Sequence, residues 1–212
     1  MKRNSMISRF YLAVIISLTA LRGWAQIQTT NTPVFSNETL DANFRRGWHE
    51  ASFGAGGLFA NLVHTSNRPN IDYAMAYAQA SYTVVEPAGD GLFRGSFDLT
   101  PEIFGAGIFQ DQGHYVAGAT LWFRYNFVQP GSRFVPYIEG GGGGTFLDIP
   151  KQFDGKIFNF NLDAAIGARY FIRPQLSLNA EYRLQHISNA DLWDRNIGVN
   201  TSGPFVGMSL FF

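Results

Sequence analysis

Residues 175–189 read QLSLNAEYRLQHISN, and their alternation decides the fold. The even positions Leu176, Leu178, Ala180, Tyr182 and Leu184 are apolar or aromatic, and the odd positions Gln175, Ser177, Asn179, Glu181, Arg183 and Gln185 are polar. A period of two belongs to a β-strand, on which residues two apart share a face. His186 and Ser188 fall in the even series, so they extend the apolar face rather than the polar one. A soluble protein turns such a face into its core, whereas a transmembrane barrel turns it to lipid and keeps the polar face inside.

Working outward from this strand, seven further stretches have strand character, giving eight in all near 48–60, 72–86, 91–108, 114–128, 134–147, 158–172, 175–189 and 201–212. Most have the nine to eleven residues a tilted membrane strand needs, or somewhat more. The fourth sets Tyr115, Ala117, Ala119, Leu121, Phe123, Tyr125 and Phe127 on one face, and the sixth sets Phe158, Phe160, Leu162, Ala164, Ile166, Ala168 and Tyr170 on one face. The tight turns Glu86–Asp90, Gln129–Arg133 and Arg173-Pro174 alternate with the longer links Asn61–Ile71, Leu147–Ile157 and Asn189–Asn200, as short periplasmic turns alternate with longer outer loops in a membrane barrel. The expected fold is therefore all-β, an eight-stranded antiparallel transmembrane β-barrel over residues 47–212, with both termini on the periplasmic side. Its last residues, Val206, Met208, Leu210 and Phe212, resemble the C-terminal signature that the assembly machinery of bacterial outer-membrane proteins reads.

The N-terminal end agrees with that destination. Residues 1–25 combine Lys2, Arg3 and Arg9 with the apolar run Phe10–Leu21 and a small-x-small ending, Gly23-Trp24-Ala25, which is the pattern of a cleaved secretory signal. The apolar run is too short to span a bilayer of about 30 Å. Residues 26–46 lack periodicity and read as a flexible or loosely docked segment with little function. With no cysteine in the chain, a disulfide framework, a thiolate metal site and a catalytic thiol are all excluded. A formal charge of zero gives no electrostatic case for binding nucleic acid. Aromatic residues at 16%, 23 glycines and only 15% charged residues suit a tightly turned, partly lipid-facing sheet.

An up-running seventh strand places His186 and Ser188 at the level of the outer leaflet, where lipopolysaccharide resides. A serine hydroxyl is a weak nucleophile until a base takes its proton, and the base needs a third group to fix its tautomer. Asn200, on the lipid-facing parity of the next strand, is placed to meet His186 across the hairpin and to accept its N–H. A neutral amide also spares the rim a carboxylate, whose cost there rises from about 0–1 kcal/mol near the interface to a few kcal/mol deeper. Polar side chains on an outward face are costly unless used.

These residues resemble the outer-membrane lipid A 3-O-deacylases (PagL type), often called acyloxyacyl hydrolase-like. The resemblance covers essentially the mature barrel, and its specific part is His186-Ile187-Ser188-Asn189-Ala190 followed by Asn196, Gly198 and Asn200. It implies that His186 is base and Ser188 nucleophile, and that Asn196 or Asn189 stabilises the oxyanion, Asn196 being the better candidate. The family's orienting glutamate, fourteen residues after the histidine, is Asn200 here, and Asp191 stands where the family usually has glycine. The implied reaction is hydrolysis of an ester-linked acyl chain of lipid A in the bacterial outer membrane, through acyl transfer to Ser188 and then attack by water, with no cofactor and no metal. The partners implied are lipid A or lipopolysaccharide in the outer leaflet and the surrounding membrane lipids, with a homodimer left open.

Two alternatives stay open. Outer-membrane phospholipase A resembles the same pattern, with His-x-Ser-Asn, an asparagine at the spacing of Asn200, and calcium, for which Asp191 and Asp194 are the available carboxylates; its twelve strands exceed what about 187 mature residues can supply. The other alternative is a non-enzymatic structural or adhesive barrel. Among the remaining residues, His49, His64 and His114 read as surface or loop histidines, and Trp48, Trp122 and Trp193 as interfacial belt or lumen packing. Arg94, Asp98, Arg124, Glu139, Asp163, Arg169, Glu181 and Arg183 are expected to neutralise one another in a filled lumen. The run Gly140–Gly144 reads as relief of crowding or curvature, since no helix follows it to bind a phosphate.

Overall fold

The computed structural model describes residues 40–60, 70–110, 113–151 and 156–212. The signal-like residues 1–25, most of the N-terminal segment and His64 lie outside them. Eight antiparallel strands close into a barrel, each paired with the next and the last with the first: β1 (Gly47–Leu58), β2 (Asp72–Ala88), β3 (Gly95–Gln110), β4 (Tyr115–Asn126), β5 (Phe134–Leu147), β6 (Phe158–Arg173), β7 (Leu176–Ser188) and β8 (Val199–Phe211). No helix among the described residues is long and apolar enough to cross a membrane, so the strands do the crossing. The third strand starts later than its alternation suggested, because Gly91 takes φ +61° and opens a single helical turn over Gly91–Phe93. The eighth starts earlier, at Val199, which carries Asn200 into the ladder.

The wall is apolar outside and polar inside. On β7 the odd residues from Ser177 to Gln185 are buried while Leu178, Tyr182 and Leu184 are exposed. Leu162 and Ile166 on β6 are 67% and 64% exposed, against 3% and 5% for Asn161 and Asp163, which flank Leu162. Apolar side chains outward and carboxamides inward are stable only if the outside is hydrocarbon.

The lumen is filled in three tiers. One end is closed by an apolar cluster that includes Leu58, Tyr73, Tyr77, Phe104, Ile187 and Phe205. The middle carries buried charges: Arg124 donates to Glu139 at 2.7 Å, Arg169 to Glu50 at 2.8 Å, and Arg183 lies 2.9 Å from Glu102 and also pairs with Glu181. Arg183 is further sandwiched at 4.2 Å from the Tyr77 ring and 4.6 Å from that of Phe205. The other end is stoppered by Leu40 and Phe44, which pack on Val128, Val135, Phe171 and Phe211. Residues 40–46 are thus firmly docked rather than loose. Asp41 pairs with Arg94 at 2.8 Å, and Asn43 donates to the Pro174 carbonyl at 2.5 Å.

Two expectations about individual residues are corrected here. Arg94 does not join the lumen charges but holds this stopper from the β2–β3 turn. His49 is not a surface residue: a bulge between Trp48 and Glu50 shifts the parity by one, leaving Trp48 outside and turning both His49 and Glu50 in. His49 is 4% exposed and lies between Phe44 and Phe211, with ring centroids 6.2 and 5.9 Å away. His114, by contrast, is an exposed loop residue that donates to Asp148 at 2.8 Å. Trp122 is fully inside the lumen and Trp48 is exposed on the wall.

Crowding explains part of the glycine run in β5. A Cβ on Gly141 would sit 2.6 Å from the Leu121 carbonyl oxygen, and one on Gly143 1.9 Å from that of Ala119. Those two inward positions admit no side chain. The seam that closes the barrel is its shortest ladder, Glu50–Gly56 against Phe205–Phe211, and there too the chains approach closely, with Gly207 pressed on the Phe53 carbonyl.

Candidate active site

The β7–β8 hairpin joins His186 to Asn200 and sets Ser188 on the same face of the strand, not hydrogen-bonded to His186. His186 lies directly opposite Asn200, and its Nδ1–H donates to Asn200 Oδ1 at 2.5 Å. An imidazole whose Nδ1 proton is held this way presents the lone pair of Nε2 on its other side, the arrangement a general base needs. His186, Ser188 and Asn200 are half-buried on the outer wall, while Ile187 between the first two is buried in the lumen. Ser188 is two residues further along the same face, beside Phe160 of β6. Gly198 leaves room beside both side chains. It takes φ +70°, and a Cβ there would lie 3.2 Å from His186 Cε1 and 3.9 Å from Ser188 Cβ.

Beyond Ser188 the chain turns at once. The Leu192 amide donates to the Asn189 carbonyl at 3.1 Å, and the residues between, Ala190 and Asp191, have φ of 53° and 59°. Two successive positive φ values are the pattern of a type I′ turn, which favours glycine, asparagine or aspartate. Asp191 tolerates it; Ala190 is strained. The asparagines expected to meet an oxyanion hold this loop. The Asn189 amide N–H donates to Asn196 Oδ1 at 3.1 Å, its side chain donates to the Arg195 carbonyl at 3.1 Å, and Asn196 Nδ2 donates to Asp191 Oδ1 at 2.8 Å. Lys156, entering β6, sits 3.9 Å above the Trp193 ring and ties the neighbouring loop to this one.

Asp194 is exposed at the loop tip and Asp191 serves the Asn196 amide. Among the described residues, three ligand-type side chains gather at His49, Glu50 and Asp98, inside the lumen and far from the hairpin tip in sequence. There Glu50 already binds Arg169 and Ser52, and Asp98 binds Thr83 and Asn126.

A feature not anticipated in detail starts at the site. A trough of about 730 Å³ runs along the outer wall from His186 and Asn200, between Leu184, Leu162 and Phe123. The signal that could have found it is parity: Gly140 and Gly142 share the outward series of β5 with Phe134, Ile138 and Phe146, so the wall there has no side chains.

A closed eight-stranded barrel with an apolar exterior, carrying a hydrogen-bonded imidazole–amide pair on its outer rim, defines a bacterial outer-membrane barrel protein. Residues 72–209 match the family described as lipid A 3-O-deacylase (PagL), more than half of the chain. The chain therefore belongs to that family of ester-hydrolysing enzymes. Among solved structures it is similar to the outer membrane enzyme PagL, at 16% identity over 74% of this chain and 97% of that one with a TM-score of 0.52. It is also similar to Neisserial surface protein A, at 15% identity over 78% and 97% with a TM-score of 0.54. At such identities the two structures speak to the fold alone. No curated protein sequence matches.

Proposed function

We propose that this protein hydrolyses an ester-linked acyl chain of lipid A from within the outer leaflet, with Ser188 as nucleophile, His186 as general base and Asn200 as the group that orients the imidazole. Ser188 Oγ attacks the ester carbonyl as His186 Nε2 takes its proton. The tetrahedral intermediate collapses to an acyl-serine, and the departing sugar oxygen receives that proton from the imidazolium. Water, deprotonated by the same nitrogen, then attacks the acyl-serine and releases the fatty acid, returning the proton to Ser188. Asn196 is the oxyanion donor in this reading, since an amide nitrogen carries two N–H groups and Asp191 takes one of them. The trough receives the chain being cleaved, which already lies among hydrocarbon.

The observation that carries the reading is the His186–Asn200 hydrogen bond on the lipid side of the wall. A hydrogen-bonded imidazole facing hydrocarbon is expensive unless the lipid itself is the substrate. The neutral orienter is the one feature favouring the phospholipase alternative, and the eight-stranded barrel speaks against it. Mass spectrometry of lipid A and phospholipids from cells making the wild-type chain or Ser188→Ala decides between them. Loss of one acyl mass from lipid A only with the wild type is expected. An unchanged lipid A with cleaved phospholipid transfers the assignment, and no change in either supports an adhesive barrel.

A further inference from the structure

The glycine run of β5 divides into two sets with different reasons for lacking a side chain. Gly141 and Gly143 are excluded from carrying one by backbone carbonyls of β4, as described above. Outward-facing Gly140 is not, and Gly142 is only partly so. A Cβ on Gly140 would meet a single atom, the Asp163 carbonyl oxygen, at 3.8 Å, and one on Gly142 would meet the Asn161 carbonyl oxygen at 3.1 Å and Leu162 Cδ1 at 3.8 Å. Strand interiors lose order and packing at glycine, so a glycine that its neighbours do not demand needs another reason.

Position supplies one. The row Leu121, Gly142, Leu162, His186, Asn200 runs straight across β4 to β8. One row further from the loops stand Phe123, Gly140, Ala164 and Leu184. Gly140, Gly142 and Ala164 are the smallest side chains bordering the trough, with Phe123, Leu162 and Leu184 rising around them. One row further still, Ile138, Ile166 and Tyr182 restore full-sized side chains. The trough therefore has a floor that begins beside the imidazole and ends at a step.

We infer that Gly140, with Ala164 beside it, sets the length of acyl chain the site accepts, acting as the floor along which the chain lies. The inference rests on the esterase reading above. The floor spans four residues of strand between the rows of His186 and Tyr182, about 13 Å, the extended length of about ten chain carbons. A leucine at position 140 fills the space two residues below His186 and leaves room for about half that length.

The test compares hydrolysis of butanoate and decanoate esters by the purified full chain in detergent, for the wild type, Gly140→Leu, Ser188→Ala and Ala78→Leu. Ala78 lies on the β2 side of a neighbouring hollow of about 650 Å³ over β2 to β5, which shares only Gly142 with the trough, and serves as the control for added bulk on the wall. In Gly140→Leu the decanoate-to-butanoate rate ratio should fall at least about ten-fold, the lower end of what methylene-sized misfits cost in apolar sites, while butanoate turnover persists and Ala78→Leu behaves as wild type. A ratio unchanged in Gly140→Leu, or lowered equally in Ala78→Leu, overturns the inference and leaves the esterase reading standing. Absence of any Ser188-dependent hydrolysis in the wild type removes both. Ala164→Leu raises the same floor from the neighbouring strand and should repeat the effect if Gly140→Leu does not fold; an unchanged ratio there counts equally against it.

Discussion

The lumen and the rim both bury polar groups in apolar surroundings, and they do so in opposite ways. Inside, Arg183 is enclosed by Glu102 and Glu181, and Arg124 by Glu139 and the Gln79 carboxamide, so the charges compensate one another. On the rim, His186 has one nitrogen committed to Asn200 and the other left without a hydrogen-bond partner among the described residues. Polar groups that satisfy each other hold a structure together, and a polar group with one position left over is chemically competent. Polar side chains thus serve stability on one face of β7 and, in the proposed function, reactivity on the other.

The comparison can be broken most forcefully at Ser188. Ser188→Ala should lower lipid A turnover by roughly three orders of magnitude or more with an unchanged unfolding midpoint, as measured by product mass spectrometry beside urea titration. Equal turnover would detach the rim from catalysis. Arg183→Ala tests the other face, since removing one partner of a buried ion pair costs about 3–5 kcal/mol. The loss should appear in the urea midpoint and not in the turnover of the barrels that remain folded. A smaller effect separates the orienter from its competitors. Asn200→Ala removes a hydrogen bond to the base, worth about 1–3 kcal/mol when lost at a buried or charged group and hence about five- to 150-fold in rate. Asp194→Ala should leave the rate alone, and a larger loss there would reassign the orienting role. Asn200→Glu should preserve or raise activity, because a charge-assisted bond to the imidazolium is about twice as strong. The smallest change is Ala190→Gly, which relieves an alanine at φ 53° and should raise stability by about 1 kcal/mol, read from the same urea titration.

Much of this arrangement was legible in the sequence because a strand's period of two is an integer. Once the alternation of Leu176–Gln185 is read, the outward direction of His186 and Ser188 follows, and a hairpin counted back from Phe212 brings Asn200 opposite. The failures occur where that counting breaks. At His49 a single bulged residue inverts the parity, and nothing in the local sequence announces it. Residues 40–46 dock through two apolar side chains, Leu40 and Phe44, too few to form a pattern of any period. In the sequence the glycines of β5 form one group, because it carries no record of which of them face a neighbouring carbonyl and which face open hydrocarbon. Asp191 was visible as a departure from the family, but the left-handed backbone that makes glycine customary there is a property of the folded turn.

The seam between β1 and β8 has a mechanical consequence. Its ladder, Glu50–Gly56 against Phe205–Phe211, is the shortest in the barrel, and its strands come from opposite ends of the chain. Closing it demands the largest loss of chain entropy for the shortest continuous ladder. It should be the last junction to zip during insertion and the first to part under load, so that the wall fails on the side where β8 also carries Asn200.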